Sequence, residues 1–297
     1  KFIFYFIFTE SNFLINNLFL YCLLKNLQCL FALCKVNIIH IRIMKLHRFL
    51  LGKNIEQPLG EELKITEKDL IHQWNNVLKF KQDEKISLFD GIIDKDFIYK
   101  IKEINNKLAI LTFDSKTNNI SQKNEVGDIN LCVSLVKKDK ISLIIEKCTE
   151  IGVLNFISLV SDRTEKKNVE SFNLEKMTKI AEEAVEQSGW GNIPTIEEPK
   201  KLENVIKEIE NKGELSKIIV LHTFDSKNHK NMIENKENLK KLGFKYIFIG
   251  PEGGWSDREI EIFEEKGLSF VNFGKNILRA ETAAIVSVCR LNILSFR

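Results

Sequence analysis

The chain has few of the residues that metal centres and disulfide frameworks require. Its 297 residues include six cysteines and five histidines, and no two of the cysteines form a C-x-x-C pair. The histidines show no spacing typical of metal ligands. We therefore predict no metal site, interpret Cys132 and Cys148 as buried thiols, and expect a cytoplasmic protein.

No net charge is left once the first 43 residues are set aside. The whole chain carries a formal charge of +3. This excess comes from Lys1, Lys25, Lys35 and Arg42, which are opposed within 1–43 by Glu10 alone. Because the chain from Met44 onward is balanced, any binding to nucleic acid must depend on a local patch and not on the field of the whole protein.

Residues 1–43 lack methionine and differ from the rest in composition. They are rich in Phe, Ile, Leu and Asn, which AT-rich DNA encodes when it is read upstream of a start. Residues 11–34 are long enough to span a bilayer, for which about 20 apolar residues suffice, but they contain several Asn and Lys25. We interpret 1–43 as non-native upstream sequence before a start at Met44; a membrane anchor and a targeting segment are the alternatives.

Residues 44–115 contain short apolar segments separated by Gly and Asp turns. The predicted strands are "HRFLLG", "KISLFDG", "FIYKIKEI" and "KLAILTFD", and one helix is predicted near "EKDLIHQWNNVLKF". Short strands with such turns are typical of a small β-barrel. Residues 116–128 are polar and lack apolar periodicity, which indicates a linker.

From residue 129 to residue 297 the pattern alternates between strand and helix. The predicted strands are "INLCVSLV", "NFISLVS", "KIIVLHTF", "KYIFIG" and "LSFVNFG". The predicted helices are "DKISLIIEKCTEIG", "NLEKMTKIAEEAVEQS", a helix that Ser256 and Glu259 cap, and "ETAAIVSVCRLNIL". This alternation predicts an α/β domain with a mainly parallel sheet.

Two glycine-containing loops follow neighbouring predicted strands. Gly250–Gly254 comes after the strand 245–249, and 274–282 comes after the strand 268–273. Ligands of parallel sheets bind beyond the carboxyl ends of strands, although a lone glycine-rich loop can also be only a tight turn. Neither loop has the spacing of a dinucleotide or P-loop motif. Arg279 can reach a ligand there, or it can simply pair with Glu281.

These loops and several upstream segments resemble the ribosomal RNA small subunit methyltransferase E family. The matching segments are "IGPEGGWSDREI", "LSFVNFGKNILRAETAA", "KISLIIEKCTEIGVLNFISLVSDRT", "KIAEEAVEQSGWGNIPTI", "MKLHRFL" and "HQWNNVLKFKQDEKISLFDG". Several spaced motifs in the same order make the resemblance specific. It covers residues 44–297 and none of 1–43.

The resemblance implies a SPOUT-type α/β domain with a trefoil knot at 129–297, preceded by a PUA-like RNA-binding β-barrel. It also implies that loops after three knot strands hold S-adenosyl-L-methionine (AdoMet) in a bent shape. The residues implied to bind AdoMet are Leu221, His222, Ile249, Gly250, Glu252, Gly253, Gly254, Gly274, Ile277, Leu278 and Thr282.

The activity that the resemblance implies is methylation of N3 of a uridine in the 16S rRNA of the small ribosomal subunit. Removal of the N3 proton leaves charge on the uracil oxygens, which a fixed cation stabilises, and we assign this role to Arg279. Glu281, Glu252 and Glu186 are the alternatives for the proton acceptor, and we predict Arg279 and Glu281 as catalytic residues.

RNA contacts are expected on both domains, and the family forms homodimers. The residues predicted to contact RNA are Lys45, His47, Arg48, Lys79, Lys81, Glu186 and Gln187. Trp190 stands where the family usually has arginine, and Lys79 stands at a second position where the family has arginine. The departure at Trp190 motivates one alternative function, a non-catalytic RNA-binding factor in ribosome assembly.

Overall fold

The computed structural model describes residues 46–51, 62–89, 95–118, 129–223, 243–274 and 276–295. Leu46–Arg297 form one compact unit, in which the described strands make two sheets. The interpreted upstream segment 1–43, Lys45 and most of the predicted linker lie outside the described residues.

The first sheet has five strands in the order β1-β3-β4-β5-β2. These strands are β1 His47–Leu50, β2 Glu62–Ile65, β3 Lys85–Phe89, β4 Lys95–Ile104 and β5 Ala109–Asn118. All four predicted strands are present, and β5 continues three residues into the predicted linker. The strand β2 was not predicted, because "ELKI" is short and alternates poorly.

One helical segment crosses the first sheet. It consists of helix α1, Lys68–His72, and a wider π-helical turn, Gln73–Val77. Trp74 from this turn is fully buried and its ring lies 5.2 Å from that of Phe49. Burial of these aromatic side chains fixes the helical segment on the sheet and forms a separate small core.

The second sheet has six strands, which are all parallel. They are β6 Asn130–Ser134, β7 Asn155–Val160, β8 Thr195–Lys201, β9 Ile218–Leu221, β10 Tyr246–Ile249 and β11 Ser269–Val271. The order β11-β9-β10-β6-β7-β8 places β9 between β11 and β10. The carboxyl ends of these three strands therefore lie side by side.

Helices cover both faces of the second sheet. They are α2 Lys138–Glu150, α3 Lys166–Glu170, α4 Leu174–Ser188, α5 Leu202–Asn211, α6 Asp257–Glu265 and α7 Ala280–Ser295. Buried residues of α2, α4 and α7 form one core with the sheet, and those of α5 and α6 form another. The predicted α/β class with a parallel sheet is confirmed.

Three elements of the second domain were not predicted, namely the short helix α3, the strand β8 and the helix α5. The strand β8 reads "TIEEPKK", and a half-exposed edge strand of this kind carries little apolar signal. Helix α5 does carry the signal, since Leu202, Val205, Ile206 and Ile209 are buried at helical spacing, and it was overlooked.

Both predicted buried thiols are confirmed, because Cys132 lies inside β6 and Cys148 on the inner face of α2. Their burial raises the pKa of each thiol. Among the described residues, no helix is both long and apolar enough to cross a membrane. The same residues contain no cluster of His, Cys, Asp and Glu that could hold a metal ion.

Candidate functional site

A cavity of about 690 Å³ lies at the carboxyl ends of β9, β10 and β11, beside the start of α7. Arg279 and Glu281 line it, as do all residues predicted to bind a cofactor except Gly274 and Thr282. The structure therefore brings three separate loops together in one place. Its volume lies within the range typical of small-molecule sites, about 300–1,000 Å³.

Sequence reasoning missed part of the lining. Val271 is the last residue of β11, and Asn272 and Phe273 follow it directly, so the rule about strand ends could have found all three. Lys137 and Lys140 reach the cavity from the start of α2. The two lysines reach the cavity because β6, which precedes α2, lies next to β10. More than 100 residues separate these two strands, so the sequence does not reveal that they are neighbours.

The first wall of the cavity is fixed by Trp255. Its indole Nε1 donates to the main-chain oxygen of Leu221 over 3.0 Å, and the side chain is buried. A Cβ atom on Gly250 would lie 3.2 Å from a ring carbon of Trp255. Gly250 therefore lets the loop after β10 pass closely over the indole that supports the loop after β9.

The second wall is the turn Pro251–Gly254. The amide of Gly254 donates to the oxygen of Pro251 over 2.9 Å. Gly254 has a φ of 70°, in the left-handed region that side chains disfavour. Arg163 supports the turn from outside, because its Nη1 donates to the oxygen of Gly253 over 2.7 Å. A Cβ on Gly253 would lie 3.3 Å from Cδ of this arginine.

A polar network joins the start of α6, which follows this turn, to the loop after β7. Arg258 donates to both carboxylate oxygens of Asp162, over 2.9 and 2.5 Å. Glu259 is fully buried and accepts from the amides of Asp162 and Ser256, over 2.9 and 2.8 Å. The hydrogen bond from Arg258 holds the pKa of Asp162 below its usual range. The predicted capping box of Ser256 and Glu259 is confirmed and forms part of this network.

The third wall contains Arg279, which lies just before α7. Its main-chain oxygen accepts from the amide of Ala283 over 2.8 Å, so the backbone is held in the first turn of the helix. Its side chain is exposed, and no residue that the structure describes forms a hydrogen bond or an ion pair with the guanidinium. Ile277, in the same loop, is 82% exposed. This wall thus presents an unpaired cation and an apolar side chain to solvent.

Glu281 is paired with Lys140 and not with Arg279. The distance from Lys140 Nζ to Glu281 Oε1 is 2.5 Å, and the two side chains are 29% and 10% exposed. Burial of the carboxyl acts to raise its pKa, but the hydrogen bond and charge of Lys140 and the charge of Arg279 hold the pKa of Glu281 below its usual range. Glu281 is therefore ionised at neutral pH and is a weak proton acceptor.

The other two predicted proton acceptors lie in different places. Glu252 lines the cavity and is exposed, and among the described residues it accepts only a long bond of 3.4 Å from the amide of Lys137. Glu186 does not line the cavity. Its carboxylate accepts from the amide of Leu50 over 2.7 Å, and burial raises its pKa.

The residues predicted to contact RNA divide into two groups. His47, Lys79, Lys81 and Gln187 are exposed, and the ring of His47 lies against that of Phe80, with 5.3 Å between centroids. Arg48, in contrast, has a side chain that is 8% exposed. Its guanidinium donates to both carboxylate oxygens of Asp96, over 2.7 and 3.0 Å, and lies 3.4 Å above the ring of Phe89.

Comparison with known proteins bears on the second domain. A family described as RNA methyltransferase domain has a sequence model that matches residues 122–292. A curated relative from Rickettsia conorii, named ribosomal RNA small subunit methyltransferase E, is 31% identical over 125 residues, which are 42% of this chain and 48% of the relative. The relative from Borreliella burgdorferi, ribosomal RNA small subunit methyltransferase E 2, is 35% identical over 127 residues, 43% and 49% of the two chains. The matches thus span about half the length of these relatives.

Solved structures extend the likeness to both domains. A ribosomal RNA small subunit methyltransferase E from Neisseria gonorrhoeae, bound to S-adenosyl methionine, superposes with a TM-score of 0.66 and 22% identity. A probable rRNA-methyltransferase from Porphyromonas gingivalis gives a TM-score of 0.64 and 20% identity. Each covers 84% of this chain and 98% of the solved chain. At these identities the likeness shows a shared fold.

Proposed function

The chain belongs to the RNA methyltransferase domain family, and on this premise we propose that it transfers a methyl group from AdoMet to N3 of a uridine in 16S rRNA. The observation that carries the proposal is the cavity of about 690 Å³ in which three strand-end loops meet beside Arg279, whose guanidinium has no partner among the described residues. The names of the curated relatives and the bound ligand of the Neisseria gonorrhoeae neighbour support it.

The cavity fits AdoMet in size and in chemistry. Its walls combine apolar residues, such as Leu221, Ile249 and Leu278, with the glycine-containing turn Pro251–Gly254. Main-chain N–H and C=O groups can hydrogen-bond the adenine, ribose and methionyl parts, while the apolar side chains pack on the flat base. When bound there, AdoMet supplies an electrophilic methyl group on a sulfonium.

Arg279 is the group that meets the RNA base. Uracil N3 becomes nucleophilic when it loses its proton, and the negative charge is then shared with the neighbouring carbonyl oxygens. An exposed guanidinium whose donors are not used by the protein can hydrogen-bond those oxygens. Because this charge appears only as the reaction proceeds, the interaction accelerates the chemical step rather than only tightening binding.

Glu252 is the carboxylate that we propose as proton acceptor. It lines the cavity, and its carboxylate makes a single long hydrogen bond within the part of the chain that the structure describes. Glu281 contributes as the ionised partner of Lys140, and Glu186 acts at the contact between the domains. Holding the base and the uridine in one orientation would contribute a large part of the rate.

The finer architecture is part of the same proposal. The position of β9 between β11 and β10 supports a trefoil knot, and the five-stranded first sheet supports a PUA-like barrel. The exposed His47, Lys79, Lys81 and Gln187 form an RNA-binding surface in the cytoplasm, where rRNA is the partner. Half-buried apolar residues of α7, such as Ile285, support a homodimer.

Methyl transfer can be tested with the full chain, radiolabelled AdoMet and small ribosomal subunits that lack this modification. We expect label in 16S rRNA and a stop of reverse transcription at one uridine, since a methyl group on N3 blocks base pairing. Calorimetry in parallel measures AdoMet binding. RNA binding without AdoMet binding or label would contradict the proposal and favour a non-catalytic assembly factor. Label on another atom or another RNA would overturn the assigned substrate.

A further inference from the structure

We propose that Lys140 is a positioning residue, which holds the carboxylate of Glu281 and so leaves the guanidinium of Arg279 open to the substrate. The catalytic consequence of this inference rests on the proposed function. The pairing itself does not, because it concerns three side chains of the protein alone.

The contact joins the first turns of two helices across the mouth of the cavity. Lys140 lies near the start of α2 and Glu281 near the start of α7, and they are 141 residues apart in sequence. The Nζ–Oε1 distance of 2.5 Å and the low exposure of the carboxylate make this a well-shielded ion pair. Shielding strengthens the attraction between the two charges, because less water screens them.

The carboxylate of Glu281 needs a cation nearby. A poorly hydrated carboxylate without a partner is costly, so it binds whichever cation can reach it. Two cations act on this carboxyl, Lys140 through a hydrogen bond and its charge, and Arg279 through its charge. Arg279 lies only two residues before Glu281 and is therefore the partner that would replace Lys140.

Arg279 can serve the reaction only while its donors are unoccupied. In the structure they have no protein partner among the described residues, because Lys140 already neutralises the nearest carboxylate. If Glu281 captured Arg279, the guanidinium would turn toward the start of α7 and its charge would be cancelled. Because Lys140 pairs with Glu281, the guanidinium of Arg279 remains available to the substrate.

Chemical labelling tests the pairing without any activity. Phenylglyoxal modifies accessible guanidinium groups, and mass spectrometry of the peptide that contains Arg279 gives its rate of modification. We expect Lys140→Ala to slow the modification of Arg279 by about tenfold, because the carboxylate of Glu281 then binds the guanidinium and shields it from the reagent. The double variant Lys140→Ala/Glu281→Gln should restore the rate. Arg48 and Arg258, which are paired in the structure, serve as slow internal references.

Turnover tests the consequence. Lys140→Ala should lower kcat by about tenfold or more, with KM for AdoMet nearly unchanged, which is less than the ~10²–10³ that loss of one well-placed donor costs. Glu281→Gln in the same background should recover most of that loss, and Lys140→Arg should keep the pairing and most of the turnover. A double-mutant cycle with Glu281→Gln alone gives the coupling between the two positions.

Lys138→Ala is the matched control. Lys138 lies in the same turn of α2, is exposed, does not line the cavity, and has no ion pair among the described residues. Its removal takes the same charge from the same helix, so it reports any general loss of attraction for RNA. We expect it to change neither the labelling of Arg279 nor kcat.

The outcomes separate the inference from the proposed function. Unchanged labelling of Arg279 in Lys140→Ala, or a double variant no better than Lys140→Ala, overturns the inference even if the wild type methylates RNA. Slowed and restored labelling in a protein that transfers no methyl group supports the pairing and removes the proposed function. If Lys140→Ala melts far below the wild type, Lys140→Gln, which keeps the length of the side chain, replaces it in every measurement.

Discussion

The guanidinium of Arg48 donates to the main-chain oxygen of Trp190 over 2.7 Å, and so links β1 of the first sheet to the segment that follows α4. A second bond of 3.2 Å reaches the oxygen of Val185, in the last turn of the helix. The oxygen of Val185 also accepts from the amide of Gly189 over 3.1 Å, and the partial negative charge at the end of a helix attracts a cation such as this guanidinium. Because both acceptors are main-chain atoms, these two bonds do not depend on which side chain stands at position 190.

Replacement of Arg48 is expected to destabilise the protein strongly. Arg48→Ala removes the cation that pairs with the poorly exposed Asp96. Among the residues that the structure describes, the Asp96 carboxylate otherwise accepts only from Ser87 Oγ, over 2.9 Å. An uncompensated buried charge costs about 3–5 kcal/mol. Arg48→Lys keeps the charge but cannot form the bidentate pair, so its loss should be smaller. Urea unfolding measures the free energy of unfolding of each variant.

Lys85→Ala is the control for this prediction. Its pair with Asp114 has a similar length, 2.7 Å, but the two side chains are 47% and 32% exposed. Exposed pairs of this kind contribute about 0–1 kcal/mol. If Arg48→Ala lost no more stability than Lys85→Ala, the contact of Arg48 with Asp96, Val185 and Trp190 would not be what joins the two domains.

Local sequence patterns predicted most of the helices and strands, but they could not predict which distant strands and helices pair. The periodicity of "DKISLIIEKCTEIG" and the capping box of Ser256 and Glu259 are local signals, and both are confirmed. The positions of the loops at strand ends also follow from local rules. The three loops meet because β9 lies between β10 and β11, an order that no local pattern contains.

The same limit explains why the sequence did not reveal the partners of Arg48 and Glu281. Arg48 was predicted to contact RNA because it is a basic residue near other basic residues. Its observed partners lie 48 and 137 or more positions away. The pairing of Glu281 with Lys140 rather than Arg279 likewise depends on how α2 and α7 pack, and a carboxylate two residues from an arginine gives no sign of it.

Replacement of Gly254 is expected to impair AdoMet binding selectively. Gly254→Ala places a side chain at a φ of 70°, which costs about 1–2 kcal/mol, and the turn over the cavity can relieve that cost only by changing shape. We expect calorimetry to show an affinity for AdoMet at least about tenfold weaker, the equivalent of ~1.4 kcal/mol.

Gly267→Ala is matched to it in backbone conformation. Gly267 has a φ of 69°, and a Cβ atom added there would have no atom within 4 Å. Gly267 does not line the cavity. The two variants should melt at similar temperatures, and only Gly254→Ala should bind AdoMet poorly. Equal affinities in the two would show that the turn Pro251–Gly254 does not contact the cofactor.

Glu214 is expected to make stability depend on acid pH. Hydrogen bonds from Lys217, Tyr246 and Lys245 lower its pKa from the usual 4.5 to about 2. Because the unfolded chain holds this proton more tightly, the stabilisation is complete above pH 4.5 and is lost as the pH falls toward 2. The difference in unfolding free energy between wild type and Glu214→Gln should therefore shrink over that interval. Tyr246→Phe, which removes the phenol that donates over 2.7 Å, should shift the loss to higher pH. A difference independent of pH would contradict this account.

Arg279→Ala is expected to fold, to keep most of its affinity for AdoMet, and to lose methylation of 16S rRNA. The guanidinium has no partner among the described residues, so its removal breaks no contact that stabilises the fold. An interaction made only in the transition state changes turnover and leaves ground-state binding nearly intact. We expect kcat to fall by about 10²–10³. Arg279→Lys should recover little, since an ammonium cannot present two parallel donors to the uracil oxygens.

Melting temperature and specific activity must be measured on the same preparation, because they separate two roles for this arginine. If Arg279 only braced the start of α7, Arg279→Ala would melt at a lower temperature and retain its specific activity. Asn276 lies in the same loop and also lines the cavity. The variant Asn276→Gln therefore tests whether any change in this loop lowers turnover. Near-normal turnover in Arg279→Ala, or an equal loss in Asn276→Gln, would remove Arg279 from the mechanism. A large loss of turnover in Arg279→Ala alone, at an unchanged melting temperature, is the result that a cation acting on the transition state requires.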